Sequence, residues 1–347
     1  MKNLAAFMSG TNNMIFKEIP VPELGPKEVL VEVDVVGICG SDGHYYQHGN
    51  IGDFVVEGDF ILGHESAGYV AAVGSDVKSL VVGDRVALEP GVVCGTCEQC
   101  LSGKYNLCEH VEFFATPPYH GTFANYVKHP ENLCFKLPEN VSNAEGALVE
   151  PLAVGLHAAA QGDVKLGDTV IVFGAGCIGL VSMLASKARG ASNVYVVDII
   201  DKRLEFAKKL GATEVINAKN EDVIAKIDAL TGGKGAHVVI ETAGSPITIG
   251  QTASVVRKAG TVVLVGMTVK PETSYDFMKL MGKEGTLKTI FRYRNLYPVA
   301  INAISSGTID VKSIVTHEFE FENIKEAFDF VAANPTDVVK AVVKIKK

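Results

Sequence analysis

A chain of 347 residues, 47% hydrophobic and 21% charged, is long enough for about two domains and apolar enough to bury a core rather than stay disordered. Its formal charge of −8 opposes partners held through phosphate contacts, so no nucleic acid is expected. The N-terminal apolar stretch is too short for a secretory signal, and the apolar runs at 169–173 and 261–265 fall far below the ~20 residues that span a bilayer, so a cytoplasmic protein with no membrane partner is expected.

Residues 1–150 read as β-rich. Over 28–35, Val29, Val31, Val33 and Val35 fall on one face and Glu32 and Asp34 on the other, the pattern of a half-buried strand. Shorter strands are expected at 68–73 and 84–88, with turns between them. No long helical pattern precedes about Ala144. After Glu150 the character changes. A strand at 168–173 leads through a glycine turn into a helix at 178–189, then come a strand at 194–198 and a helix at 201–210 with Asp201 as its N-cap. Further strands are expected at 236–241, 261–265 and 287–290, with helices at 222–230 and 248–258. This alternation means an α/β unit whose parallel sheet is covered on both faces. The last stretch is mixed, with helices at 295–306 and 323–333 and strands at 315–321 and 338–345.

Seven cysteines are an odd number, and four of them crowd together as Cys94, Cys97, Cys100 and Cys108. Such clustering argues for a metal rather than a disulfide framework. Four thiolates suit a closed tetrahedral Zn²⁺ site of structural type, and on ligand type alone an iron–sulfur cluster is also open.

Gly174, Gly176 and Gly179 form G-x-G-x-x-G between an expected strand and an expected helix. The glycines allow a tight turn, backbone approach to a pyrophosphate, and close packing of helix on sheet. The helix start, with Ile178 in its first turn, then offers free N–H groups to the phosphates. Asp198 ends the next strand, nineteen residues after Gly179, where a carboxylate accepts from the ribose hydroxyls. No basic cluster follows it, so NAD is favoured over NADP, although Arg203 leaves a counter-argument open.

Cys39, Ser41, Asp42 and His44 follow the first long strand, and His64 and Glu65 flank a glycine turn. Together with a nicotinamide fold, these suggest an open catalytic zinc with mixed S, N and O ligands.

The segments Gly-Ile-Cys-Gly-Ser-Asp, Gly-His-Glu-x-x-Gly, the cysteine quartet, Glu150-Pro151 and the glycine turn occur here in the order of the zinc-dependent medium-chain dehydrogenase/reductase family, which the whole chain resembles. His44-Tyr45-Tyr46, Phe114 to Pro118 and Phe291 to Asn295 resemble its polyol branch, that of sorbitol and xylitol dehydrogenases. The resemblance implies a GroES-like β domain over 1–151 and 292–347, with a Rossmann NAD-binding domain over 152–291 inserted into it. It also implies one catalytic and one structural zinc and NAD-linked oxidation of a polyol to a ketose. A small polyol would be the substrate and a homotetramer the assembly.

Position by position, Cys39 and His64 match the catalytic-zinc ligands, with Glu65 or Glu150 completing the set directly or through water. Ser41 matches the hydroxyl beside the reacting alcohol, Asp42 would orient His64, and His44 and Glu150 join the catalytic set. Val265, Gly266, Met267, Ile290, Phe291 and Arg292 fall with the glycine turn, Asp198 and Arg203 on the cofactor. Thr116, Glu150, Arg292 and Tyr293 would surround the polyol, with Tyr45 and Phe113 as walls. Threonine or butanediol dehydrogenases of the same family, or an inactive relative kept for binding, are the alternatives.

Overall fold

The computed structural model describes residues 1–268 and 272–346, and the chain divides into two compact units, Met1–Glu150 with Tyr297–Lys347, and Pro151–Leu296. These boundaries fall one residue before the expected 151/152 and five residues after the expected 291/292. Among the described residues no helix is long and apolar enough to cross a membrane.

The first unit is built on a seven-stranded sheet. Its order is Cys134–Lys136, Arg85–Leu88, Glu65–Val73, Glu28–Ile38, Lys340–Lys344 and Val315–Glu320, with Tyr126–Pro130 also paired to Glu28–Ile38. Glu28–Ile38 runs three residues beyond the expected strand, and its Val29, Val31, Val33 and Val36 are almost wholly buried. The alternation of valines with Glu32 and Asp34 is what turns one face inward. Lys340–Lys344 pairs antiparallel with that strand, so a segment that follows the second unit in sequence lies inside this sheet.

The second unit holds six strands in the order Glu214–Asn217, Asn193–Asp198, Thr169–Phe173, Ala236–Glu241, Val256–Leu264, Thr286–Thr289, every neighbouring pair parallel. In chain order this is 3-2-1-4-5-6, the doubly wound arrangement whose strand order reverses between the first and fourth strands. Phe173 and Glu241 lie opposite each other at that reversal.

Several elements differ from expectation. A nine-residue helix, Gly40–His48, stands in the β-rich region, because Asp42 caps it although it has no apolar period to betray it. Helix Val149–Gln161 and strand Glu214–Asn217 were not expected. Asp201 lies in the first turn of helix Asp201–Lys209, and the N-cap is Ile200. The expected helix 248–258 is instead Pro246–Val255, started by Ser245, and its last residues belong to strand Val256–Leu264.

Candidate active site

Strand Glu28–Ile38 delivers Cys39 to the start of helix Gly40–His48, and strand Glu65–Val73 begins directly after His64. One carboxylate ties these two places together. The fully buried Asp42 accepts the Cys39 N–H at 3.0 Å and the Gly63 N–H at 2.9 Å. The ligand atoms of Cys39, His64 and Glu65 then all lie within 4.8 Å of one another. His64 Nδ1 is buried with no hydrogen-bond partner, 3.6 Å from Asp42 Oδ1. Burial alone would lower its pKa, but Asp42 and Cys39 beside it hold it well above the usual value.

Glu65 is equally constrained. Lys340 donates to both of its carboxylate oxygens at 2.7 Å and to the Ile38 carbonyl at 3.1 Å. Gly37 stands opposite Glu65 in the sheet, and a Cβ there would meet Glu65 Oε2 at 2.1 Å, so only glycine leaves room for the carboxylate. Glu150 is buried at the start of helix Val149–Gln161 and is not part of the three-ligand group. A thiolate, an imidazole and a carboxylate with a further position left open is the donor set of a catalytic zinc, so these residues fit that ion.

Cys94, Cys97, Cys100 and Cys108 form the other such group among the described residues. The Cys94 sulfur lies 3.9 Å from that of Cys100 and 3.6 Å from that of Cys108. Zinc–sulfur bonds of about 2.3 Å in a tetrahedron place the sulfurs about 3.8 Å apart, so these two spacings suit zinc. Backbone N–H groups of Thr96 and Cys97 pull the Cys94 thiol down to about 5, while desolvation and the surrounding sulfurs push Cys100 up to about 12. The loop is anchored by Tyr105, whose hydroxyl donates at 2.7 Å to the buried Glu89, a carboxyl raised by burial.

In the second unit, Phe173 leads into Gly174 at φ +96°, and Gly176 is the N-cap of helix Cys177–Ala188 with no side chain capping it. A Cβ on Gly179 would meet the Gly174 carbonyl oxygen at 1.9 Å. Ile178 lies in the first turn of the helix. Asp198 closes its strand with Oδ2 accepting the Ala175 N–H at 2.6 Å and Oδ1 accepting those of Ile199 and Ile200. An Arg203 guanidinium nitrogen lies 3.7 Å from the Cβ position of Gly176. An open glycine cradle at a helix N-terminus, with a carboxylate at its side, fits a dinucleotide.

The remaining expected residues divide between the units. In the first, Ser41 and His44 share helix Gly40–His48, and the His44 ring lies 4.6 Å from that of His48. Burial and His48 hold the His44 imidazole below its usual pKa. Tyr45 is buried, and the Phe113 ring lies 5.8 Å from the His64 ring. The Thr116 N–H donates to the Phe113 carbonyl in the turn that follows. In the second unit the Val265 and Gly266 N–H groups donate to the Glu241 carbonyl, Met267 is exposed, and the Ile290 N–H donates to Leu264. The Arg292 guanidinium lies over the Phe291 ring at 4.8 Å, Arg292 itself sits at φ +55°, and Tyr293 is buried. A left-handed arginine costs of order 1–3 kcal/mol, strain of the kind that collects at functional sites. Sequence reasoning missed Lys340 and Glu241. Their signals were a lysine inside a valine-rich run and a glutamate ending an apolar strand.

Two family models match: the alcohol dehydrogenase GroES-like domain over residues 25–139 and the zinc-binding dehydrogenase domain over 177–306. The chain is 42% identical to a sorbitol dehydrogenase of Bacillus subtilis, covering 98% of this chain and 96% of that one. It is 46% identical to a probable D-xylulose reductase A of Aspergillus clavatus, covering 96% and 94%. A solved Escherichia coli oxidoreductase/dehydrogenase of unknown specificity superposes with a TM-score of 0.97 at 46% identity, covering 100% of both chains. The chain therefore belongs to the zinc-dependent medium-chain dehydrogenase/reductase family, in its polyol branch.

Proposed function

We propose that this protein oxidises a polyol at a secondary carbon to a ketose, using NAD, with one catalytic and one structural zinc. The observation that carries this reading is the Cys39–His64–Glu65 group, held by Asp42 and Lys340, in a chain that also carries the glycine cradle and Asp198. Zinc held by that group supplies Lewis acidity that lowers the pKa of an alcohol, and NAD supplies the hydride acceptor.

The chain's own residues do the rest. Ser41 and His44 are three positions apart on one helix and so share a face. The Ser41 hydroxyl takes the alcohol proton and passes its own to His44, whose lowered pKa keeps it neutral and able to accept. Buried Phe113, whose ring lies beside that of His64, excludes water from the imidazole, and buried Tyr45 serves as a second apolar wall. Thr116 and Glu150 supply polar partners for the polyol hydroxyls, and the resemblance to the polyol branch adds Arg292 and Tyr293 to that set. Asp198 repels a 2′-phosphate and selects NAD. The cysteine quartet fastens its loop through the structural zinc. The protein works as a cytoplasmic homotetramer.

The test is a steady-state assay of zinc-loaded protein with NAD against sorbitol, xylitol, ethanol, threonine and 2,3-butanediol. A polyol should be preferred and ethanol very poor, because hydroxyl-binding groups left unpaired around a small alcohol discriminate by up to ~10⁴-fold. Preference for ethanol, or activity confined to the amino alcohol or the diol, overturns the substrate assignment.

A further inference from the structure

The carboxylate of Glu241 is wholly buried at the end of strand Ala236–Glu241. It is satisfied by the chain immediately beyond it. Its Oε1 accepts the Ala243 and Gly244 N–H groups at 3.0 and 3.1 Å and the Thr248 hydroxyl at 2.7 Å, and Oε2 accepts Gly244 at 3.2 Å. The turn so gathered touches two further turns. Thr242 donates through its N–H and its hydroxyl to the Phe173 carbonyl, and a Cβ on Gly174 would meet that hydroxyl oxygen at 2.7 Å. On the other side, a Cβ on Gly266 would meet the Gly244 nitrogen at 2.2 Å. The Glu241 main-chain carbonyl meanwhile accepts from Val265 and Gly266 at 2.8 and 3.0 Å.

We propose that Glu241 is a positioning residue for the dinucleotide site, fixing the 242–245 turn that sets the spacing between the Gly174 and Gly266 turns. This rests on the reading of those turns as the NAD site. The carboxylate is a costly choice for such a post. Burial raises its pKa against the hydrogen bonds that lower it. What it offers is acceptor capacity on two oxygens for converging donors, where an amide has one oxygen and turns its own N–H groups toward the Gly244 nitrogen. An apolar residue therefore leaves the Ala243 and Gly244 N–H groups unpaired and frees the turn to shift, whereas an amide keeps one oxygen for them and loses only the second contact to Gly244. Among the described residues Glu241 belongs to neither metal-ligand group, and it acts through the turn.

The experiment measures NADH binding by fluorescence enhancement on zinc-loaded wild type, Glu241→Gln and Glu241→Leu, at a temperature where circular dichroism shows each folded. Kd for NADH should rise about tenfold in Glu241→Leu, the loss of one charge-assisted hydrogen bond, and less in Glu241→Gln. KM for NAD should rise in parallel, with kcat within about twofold and zinc content unchanged. If Glu241→Leu does not fold, Glu241→Gln decides by the same readouts. A fall in melting temperature with Kd and KM for NAD unmoved overturns the proposal and leaves Glu241 a purely structural residue. Wild type that binds no NADH overturns the NAD reading itself, and the proposal with it.

Discussion

The Lys340 ammonium stands 2.7 Å from both oxygens of Glu65, and both side chains are almost completely withdrawn from water. Breaking such a pair leaves an uncompensated charge, whereas removing both partners does not. Lys340→Met should therefore lower the unfolding free energy in urea by about 3–5 kcal/mol, and adding Glu65→Gln should recover a large part of it. Additive losses in that double-mutant cycle would show that the two groups act independently.

Two metal sites of different character should respond differently to serine. Cys97→Ser should lose one zinc and lower the melting temperature. Cys39→Ser should abolish turnover with the fold intact. Metal analysis of active wild type that finds one zinc or none would refute the pair of sites.

Cofactor choice should depend on Asp198. Asp198→Ala should weaken NAD and narrow the discrimination against NADP, because the charge facing a 2′-phosphate is gone. Equal use of NAD and NADP by wild type would remove that role.

Arg292→Ala should raise KM for the polyol or lower kcat while leaving the affinity for NADH nearly unchanged. A variant that loses only NADH binding would place Arg292 on the cofactor instead.

Stability should fall with acidification through His129. This wholly buried imidazole is pushed down by burial from the usual 6.5 to about 4, against the raising influence of the Glu89 carbonyl beside it. Below pH 6.5 the unfolded chain binds a proton that the folded chain refuses until about pH 4. Its contribution is thus intact above pH 6.5 and lost progressively beneath it, by on the order of 3 kcal/mol. His129→Gln should flatten that part of the urea-stability profile between pH 7 and 4.5, and an unchanged slope would assign the acid sensitivity elsewhere.

Local patterns were the legible part of the sequence. Strand Ala236–Glu241 was readable to the residue, since a run holding four apolar residues ends on a charged one. Cys39, His64 and Glu65 stood out because each lies in a glycine-flanked segment, and the structure gathers their ligand atoms. Helix Gly40–His48 was hidden because glycines and polar side chains leave no apolar stripe to count. Lys340 was hidden for another reason. Its partner lies 275 residues earlier, and pairing across that distance leaves no trace in spacing.

That distance has a consequence for how the molecule comes into being. A ribosome makes Cys39, His64 and Glu65 before the second unit, yet the strand that pairs with Glu28–Ile38 and brings Lys340 to Glu65 is made only after that unit. Until it arrives, the Glu65 carboxylate has no counter-charge and the central strand has an open edge, while all six strands of the parallel sheet have already been synthesised. Nascent chains stalled shortly before Lys340 should hence carry a finished second unit beside an unfinished, protease-sensitive first one.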